Sequence, residues 1–178
     1  MSRLPLVEPE ALSPASRAAH DAASEDNWIA RNFTRVFAHN EPLMKDYQTF
    51  YSPWHTGGAG ILEPRLKELV RLRIATLNGC VLCKTVRMAP TVVSEAEASA
   101  GVDHADDAEG FSPRERAAIH FAEKLALDHH NIDDDDVAAM RRHFTDAEFL
   151  ELSMMAGQYI GFGRVLAMLQ LEIASCPI

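Results

Sequence analysis

Two cysteines, Cys80 and Cys83, stand in a C-x-x-C spacing within "NGCVLCKTVRM", residues 78 to 88, directly after an Asn-Gly break. Three kinds of chemistry fit such a pair. A tetrahedral zinc site needs about four ligands, usually with a second Cys or His pair at similar spacing. The chain has no second C-x-x-C, and its eight histidines are scattered apart from His129-His130. Two buried small apolar residues would need no function at all. A reversible dithiol uses the spacing best: at i and i+3 the sulfurs share one helix face and can bond with little backbone change. The Asn78-Gly79 break puts the pair where a helix should start, and unsatisfied N–H groups in a first turn favour the thiolate. Neither a metal nor an organic cofactor is expected.

Two charged residues can bear on these sulfurs. Glu68 lies ten residues before Asn78, ~15 Å along a straight helix. If the next helix folds back antiparallel, Arg87 is ~12 Å along it, level with Glu68 and one turn beyond Cys83. The competing partner for Glu68 is Arg71, at i+3 on a solvated face, in a pair worth only tenths of a kcal/mol. Against a solvated face, the helix that carries both residues is apolar on many sides.

The elements that must position these residues read as helices throughout. That central helix should run from Pro64 to Asn78-Gly79 with Leu66, Leu69, Val70, Leu72, Ile74 and Leu77. "SPRE" at 112 is a capping box with proline in the first helical position, and "SEAE" at 94 and "TDAE" at 145 have the same form. After Ser112, Ala118, Phe121, Ala122 and Leu125 make one apolar stripe from which His120 points away. From Thr145 a long helix should reach toward Ala174, with Gly157, Gly161 and Gly163 permitting close approach or a kink. Further helices are expected around 13–23, 26–38 and 42–52, followed by a loop at "YSPWHTGGAG", where Pro53 and three glycines deny continuation. "DDDD" at 133–136 reads as the first turn of a helix, meeting the positive end of its dipole.

The 178 residues fit a single all-α domain, a helical extension at 1–39 preceding the main body at 40–178. A formal charge of -9 argues against nonspecific nucleic-acid binding, which needs a basic surface. No apolar run approaches the ~20 residues of a membrane span, and the N-terminus lacks a secretory apolar stretch. The expected location is cytoplasmic, with no membrane partner. Three cysteines, the third being Cys176, do not make a disulfide framework.

The sequence resembles the AhpD-like alkylhydroperoxidase branch of the carboxymuconolactone decarboxylase family. The resemblance runs from "RVFAHNEPLMKDYQTFYSPWH" through "EPRLKELVRLRIATLNGCVLC" to "FSPRERAAIHFAEKL" and "HFTDAEFLELSMMAGQYIGFGRV". The family motif is a glutamate, eleven residues, C-x-x-C, three residues and a histidine; Glu68, Cys80 and Cys83 match it, and Arg87 stands at the histidine. Leu82 occupies a position where the peroxidase type can carry a second histidine. The resemblance implies an AhpD-like helical bundle that assembles into homo-oligomers, trimers or hexamers. It also implies a thiol-dependent peroxidase or disulfide oxidoreductase acting on a hydroperoxide and restored by a reducing thiol partner. In that mechanism the glutamate and histidines relay protons to the cysteines, which arginine cannot do near neutral pH. Arg87 can still favour a thiolate at Cys83 and pair with Glu68, which points to Cys83 as the attacking thiolate and Cys80 as the resolving one; the helix N-terminus favours Cys80 as the thiolate instead.

Other proton carriers are His55, His129, His130 and Tyr159, or Glu68 itself with a pKa raised by partial burial. A second reading is a lyase on a lactone acid, as in the decarboxylase branch. The positive charge of Arg65, Lys67, Arg71, Arg73, Lys84 and Arg87 would then bind the substrate carboxylate. A third is an oligomeric binding protein that has lost catalysis with the histidine.

Overall fold

The central helix forms where the apolar pattern requires it. The computed structural model describes residues 2–56, 58–88, 91–98 and 110–171, and among these, besides a helical turn at 95–98, the following helices run in order. They are α1 (Pro14–Ala22), α2 (Trp28–Phe37), α3 (Glu41–His55), α4 (Pro64–Leu77), α5 (Val81–Thr85), α6 (Pro113–Leu127), α7 (Asp134–Arg141) and α8 (Asp146–Leu169). No strand occurs among the described residues. α4 packs against α6 and α8. Its Leu66, Leu69, Val70 and Ile74 are buried together with Ala118, Ile119 and Ala122 of α6 and Leu152, Met155 and Ala156 of α8. Burial of each such large side chain stabilises the fold by about 1.5–3 kcal/mol before entropy is counted.

The starts of these helices follow local sequence. Ser112 and Glu115 form the reciprocal capping box of α6, and Thr145 and Glu148 that of α8. Ser94 and Glu97 exchange the same bonds at the helical turn 95–98. Asp133 caps α7 together with Asp136, so the acidic run is a helix start. His120 is exposed, facing away from the buried stripe. α8 ends at Leu169 with Gln170 in the left-handed region, short of the expected reach; Ala174 and Cys176 lie outside the described residues.

Two expectations need correction. The segment after residue 52 is not yet loop, because α3 continues through Pro53 to His55. Proline removes one helical N–H, but Pro53 and Thr49, whose carbonyl loses that partner, are both exposed, so water can satisfy it. A tertiary bond and a local one hold the last turn: Lys67 Nζ donates to the Trp54 carbonyl at 2.6 Å, and the Thr56 N–H caps the helix on the Ser52 carbonyl at 3.0 Å. The cysteine helix is the second correction. α5 has five residues and ends before the extended Val86, so Arg87 lies beyond it and not on a long antiparallel helix.

The N-terminal third covers the cysteine end. Val36 of α2, Cys80, Leu82, Leu166, Leu169 and Leu171 form a second apolar cluster flanked by Phe33, Phe37 and Phe162. Asn32 Nδ2 donates to the Leu171 carbonyl at 3.1 Å, tying α2 to the end of α8.

Candidate active site

The turn that presents the cysteines is specified by two residues. Gly79 adopts φ +62°, a conformation glycine takes without steric cost. Its N–H donates to the Thr76 carbonyl and that of Cys80 to the Ala75 carbonyl, each at 3.0 Å, which makes a Schellman ending for α4. Asn78 braces the turn by donating from Nδ2 to the carbonyls of Tyr159 and Ile160. It can approach α8 because position 163 is glycine; a Cβ there would stand 2.6 Å from Asn78 Nδ2. Cys80 then serves as N-cap of α5, its sulfur accepting from the Cys83 N–H at 3.2 Å.

The two sulfurs are joined as a disulfide, with Cα atoms 5.3 Å apart. They differ in access. Cys80 is 1% exposed and sits in the apolar cluster. Cys83 is partly exposed and lines a cavity of about 360 Å³. The walls are largely apolar and aromatic, with Phe33, Tyr47, Tyr51, Leu82, Phe162 and Leu166 among them, and Arg71 and Tyr159 also face it.

Glu68 does not meet Arg87. Its fully buried carboxylate accepts from Arg71 Nε at 2.8 Å and Nη2 at 2.7 Å, and from the Met88 N–H at 3.1 Å. The i+3 pairing is therefore the real one, and it lies on a buried face, as the apolar sides of this helix imply. Arg71 goes on to donate from Nη1 to the Cys83 carbonyl at 2.6 Å and from Nη2 to the Val86 carbonyl at 2.8 Å. One guanidinium thus holds both the motif carboxylate and the far end of the cysteine turn. Arg87 instead donates to Glu95 at 2.8 Å and to the Lys84 carbonyl. It is the short α5, leaving Arg87 on the outward chain, that separates it from Glu68.

Behind the carboxylate stands an imidazole from a different helix. His55 Nε2 is 3.4 Å from Glu68 Oε2, without an aligned hydrogen bond. Its Nδ1 is 2.6 Å from the Tyr159 hydroxyl, and its ring stacks on Tyr51 at 5.3 Å. Both His55 and Tyr159 are buried. Burial by itself raises the Glu68 pKa, but the Arg71 hydrogen bonds and then the His55 contact outweigh it and bring it down to about 2. The expectation of a raised Glu68 pKa is corrected accordingly: the carboxylate is paired too well to act as an acid near neutrality. Burial pushes Tyr159 well above the usual tyrosine range and Tyr51 up to about 12, so both hydroxyls keep their protons.

His129 and His130 lie exposed on the turn after α6 and do not line the cavity. The cations considered for a substrate carboxylate are mostly committed elsewhere. Arg65 pairs with Glu97 and Glu115, Lys67 with Glu151, Arg73 with Glu123 and Arg87 with Glu95. Among the described residues no cluster of three or more His, Cys, Asp or Glu side chains could hold a metal ion, and no helix is long and apolar enough to cross a membrane.

From the sequence, Arg71 reads as a partner of Glu68 or as one of several cations for a substrate carboxylate, not as the anchor of the cysteine turn, and Tyr51 is not singled out. The spacing Tyr51-x-x-x-His55 signals stacking only if the helix passes Pro53, so the expected loop hid it.

No family model matches the chain, and no curated protein is similar to it in sequence. Solved structures do match its shape. An uncharacterized peroxidase-related protein from Ralstonia eutropha JMP134 with an alkylhydroperoxidase AhpD core aligns at TM-score 0.71 and 21% identity, over 93% of this chain and 88% of that one. An uncharacterized peroxidase-related protein from Silicibacter sp. TM1040 aligns at 0.75 and 18%, over 94% and 87%. A protein of unknown function from Agrobacterium tumefaciens aligns at 0.62 and 20%, over 80% and 96%. The chain thus has the all-helical AhpD-like fold, and its C-x-x-C turn and buried glutamate are built on that frame.

Proposed function

We propose that the protein is a thiol-dependent peroxidase, cycling between a Cys80/Cys83 dithiol and the disulfide. The observation that carries this reading is the asymmetry of the pair: Cys83 lines a largely apolar cavity, while Cys80 is buried directly behind it at bonding distance. In the dithiol, the Cys83 thiolate attacks the terminal oxygen of a hydroperoxide. An S–O bond forms, the O–O bond breaks, and the departing alkoxide takes a proton to leave as the alcohol. Cys80 then attacks the Cys83 sulfenic acid, forming the disulfide and releasing water. A thiol partner restores the dithiol by exchange and is itself oxidised.

Arg71 supports this chemistry by fixing the Cys83 carbonyl to the buried Glu68, which keeps the turn rigid as the sulfur changes partners. Arg87 adds positive charge outside the cavity. The commitment of the nearby arginines to carboxylates favours this reading over a lactone-acid lyase, which would need a free cation for its substrate. A homo-oligomeric assembly is part of the same proposal, supported by Leu150, Met154, Val165 and Met168, all exposed on α8.

The test is consumption of cumene hydroperoxide by the reduced protein, followed by thiol titration. Wild type should lose two thiols per peroxide consumed, Cys83→Ser should be inert, and Cys80→Ser should stop at one turnover with a trapped sulfenic acid. Consumption that persists in both serine variants, or a pair that stays reduced under excess peroxide, would sink the proposal.

A further inference from the structure

Resting on that reading, we infer that Tyr159 and His55 carry the proton of the thiol reaction in place of the histidine absent at position 87. The arrangement is a chain of three groups from three helices: the Glu68 carboxylate of α4, the His55 imidazole of α3 and the Tyr159 hydroxyl of α8; Tyr159 and Cys83 line the same cavity. Its polarity follows from hydrogen-bonding capacity. An ionised carboxylate only accepts, so the imidazole nitrogen facing it, Nε2, carries the hydrogen. In the neutral ring Nδ1 is then the acceptor, and the Tyr159 O–H donates to it across 2.6 Å.

This order lets a proton move without a permanent charge in the cavity. As the Cys83 thiol ionises, its proton passes to the Tyr159 oxygen while the Tyr159 proton passes to His55 Nδ1. The imidazolium so formed lies against Glu68, the one carboxylate positioned to stabilise it. Once the S–O bond has formed and the O–O bond has broken, the proton returns by the same route to the alkoxide. Cys83 has then been oxidised by two electrons, the peroxide reduced to alcohol, and the relay is back in its starting state.

A structural role alone accounts poorly for His55. A buried imidazole nitrogen 3.4 Å from a carboxylate but unaligned with it forgoes a hydrogen bond that a core histidine would ordinarily make. Nε2 is the nitrogen that an imidazolium would turn toward Glu68, and it already lies within 3.4 Å of that carboxylate. Arg71 binds Glu68 from the other side and so holds the carboxylate in place facing His55.

The experiment uses the full chain with cumene hydroperoxide and excess dithiothreitol, the small thiol that restores the dithiol after each turnover and is itself oxidised. Tyr159→Phe removes only the hydroxyl, and His55→Ala opens space for added imidazole. Both variants should lose about 10²-fold or more in kcat, the range for losing a general acid–base group, with KM changed little. Imidazole should restore at least tenfold to His55→Ala and nothing to Tyr159→Phe. Wild-type kcat in Tyr159→Phe, together with retained dependence on Cys83, would overturn the relay and leave the dithiol peroxidase standing. No hydroperoxide consumption by wild type, or consumption that survives Cys83→Ser, would overturn both. Thermal melting of each variant checks folding; should His55→Ala fail to fold, Tyr159→Phe decides alone.

Discussion

Neighbouring residues of α4, Lys67 and Glu68, each enter a buried ion pair, and the two pairs serve different ends. Lys67 meets Glu151 of α8 at 3.3 Å, and the surrounding polar groups are backbone. Glu151 accepts from the Ile61 N–H at 2.7 Å and from that of Leu62 at 3.4 Å, while Lys67 also takes the Trp54 carbonyl. That pair closes the connection from α3 to α4, and nothing in it is left to react. Glu68 and Arg71, by contrast, meet the His55 side chain of α3, with Arg71 bordering the cavity, and leave His55 Nε2 without an aligned partner. A buried charge pair is not itself evidence of chemistry; the signs are an incomplete hydrogen-bond set and access to a nucleophile.

Breaking each pair should separate the two roles. Arg71→Met and Lys67→Met each strand a buried carboxylate, and each should cost about 3–5 kcal/mol in denaturant unfolding. Only Arg71→Met should also lower the rate at which Cys83 of the reduced protein is alkylated by iodoacetamide, because only Arg71 anchors the Cys83 carbonyl. Equal effects on alkylation would erase the distinction.

The acid limb of stability sharpens it further. Folding lowers the Glu68 pKa to about 2, from about 4.3 for an ordinary glutamate. The unfolded chain therefore takes up a proton first, and the stability due to Glu68 is complete above the unfolded value and lost as pH falls toward the folded one. Glu68→Gln should flatten the decline between about pH 5 and 2, measured by urea unfolding at each pH. An unchanged slope would show that the carboxylate is not held ionised.

Gly163→Ala comes next in size. Its Cβ would crowd Asn78, which braces the cysteine turn, and about 1–3 kcal/mol should be lost as that side chain moves. Arg87→Ala should do least, under about 1 kcal/mol, since its Glu95 partner is exposed and screened. A large loss of peroxide consumption in Arg87→Ala would restore to it the role that geometry gives to Arg71.

Much of this molecule follows from local sequence. The capping boxes at Ser112 and Thr145, the Asp133 start and the Asn78-Gly79 stop each depend on a few adjacent residues, so their elements were legible without neighbours. So were the cysteine pair and the spacing back to Glu68, because a helical repeat fixes which side chains share a face. The exceptions arise where a distant element overrides a local rule. Pro53 signals a break, but burial of Tyr51 and His55 against α8 and the Lys67 bond to Trp54 hold the helix through it.

Chain chemistry alone determined an all-helical domain with a dithiol near a carboxylate. Tertiary structure decided which arginine that carboxylate meets, which cysteine the cavity reaches, and which imidazole stands behind them. Spacing along one helix constrains neighbours three and four residues away, but the approach of His55, Glu68 and Tyr159 depends on how three helices pack, and no local pattern encodes that.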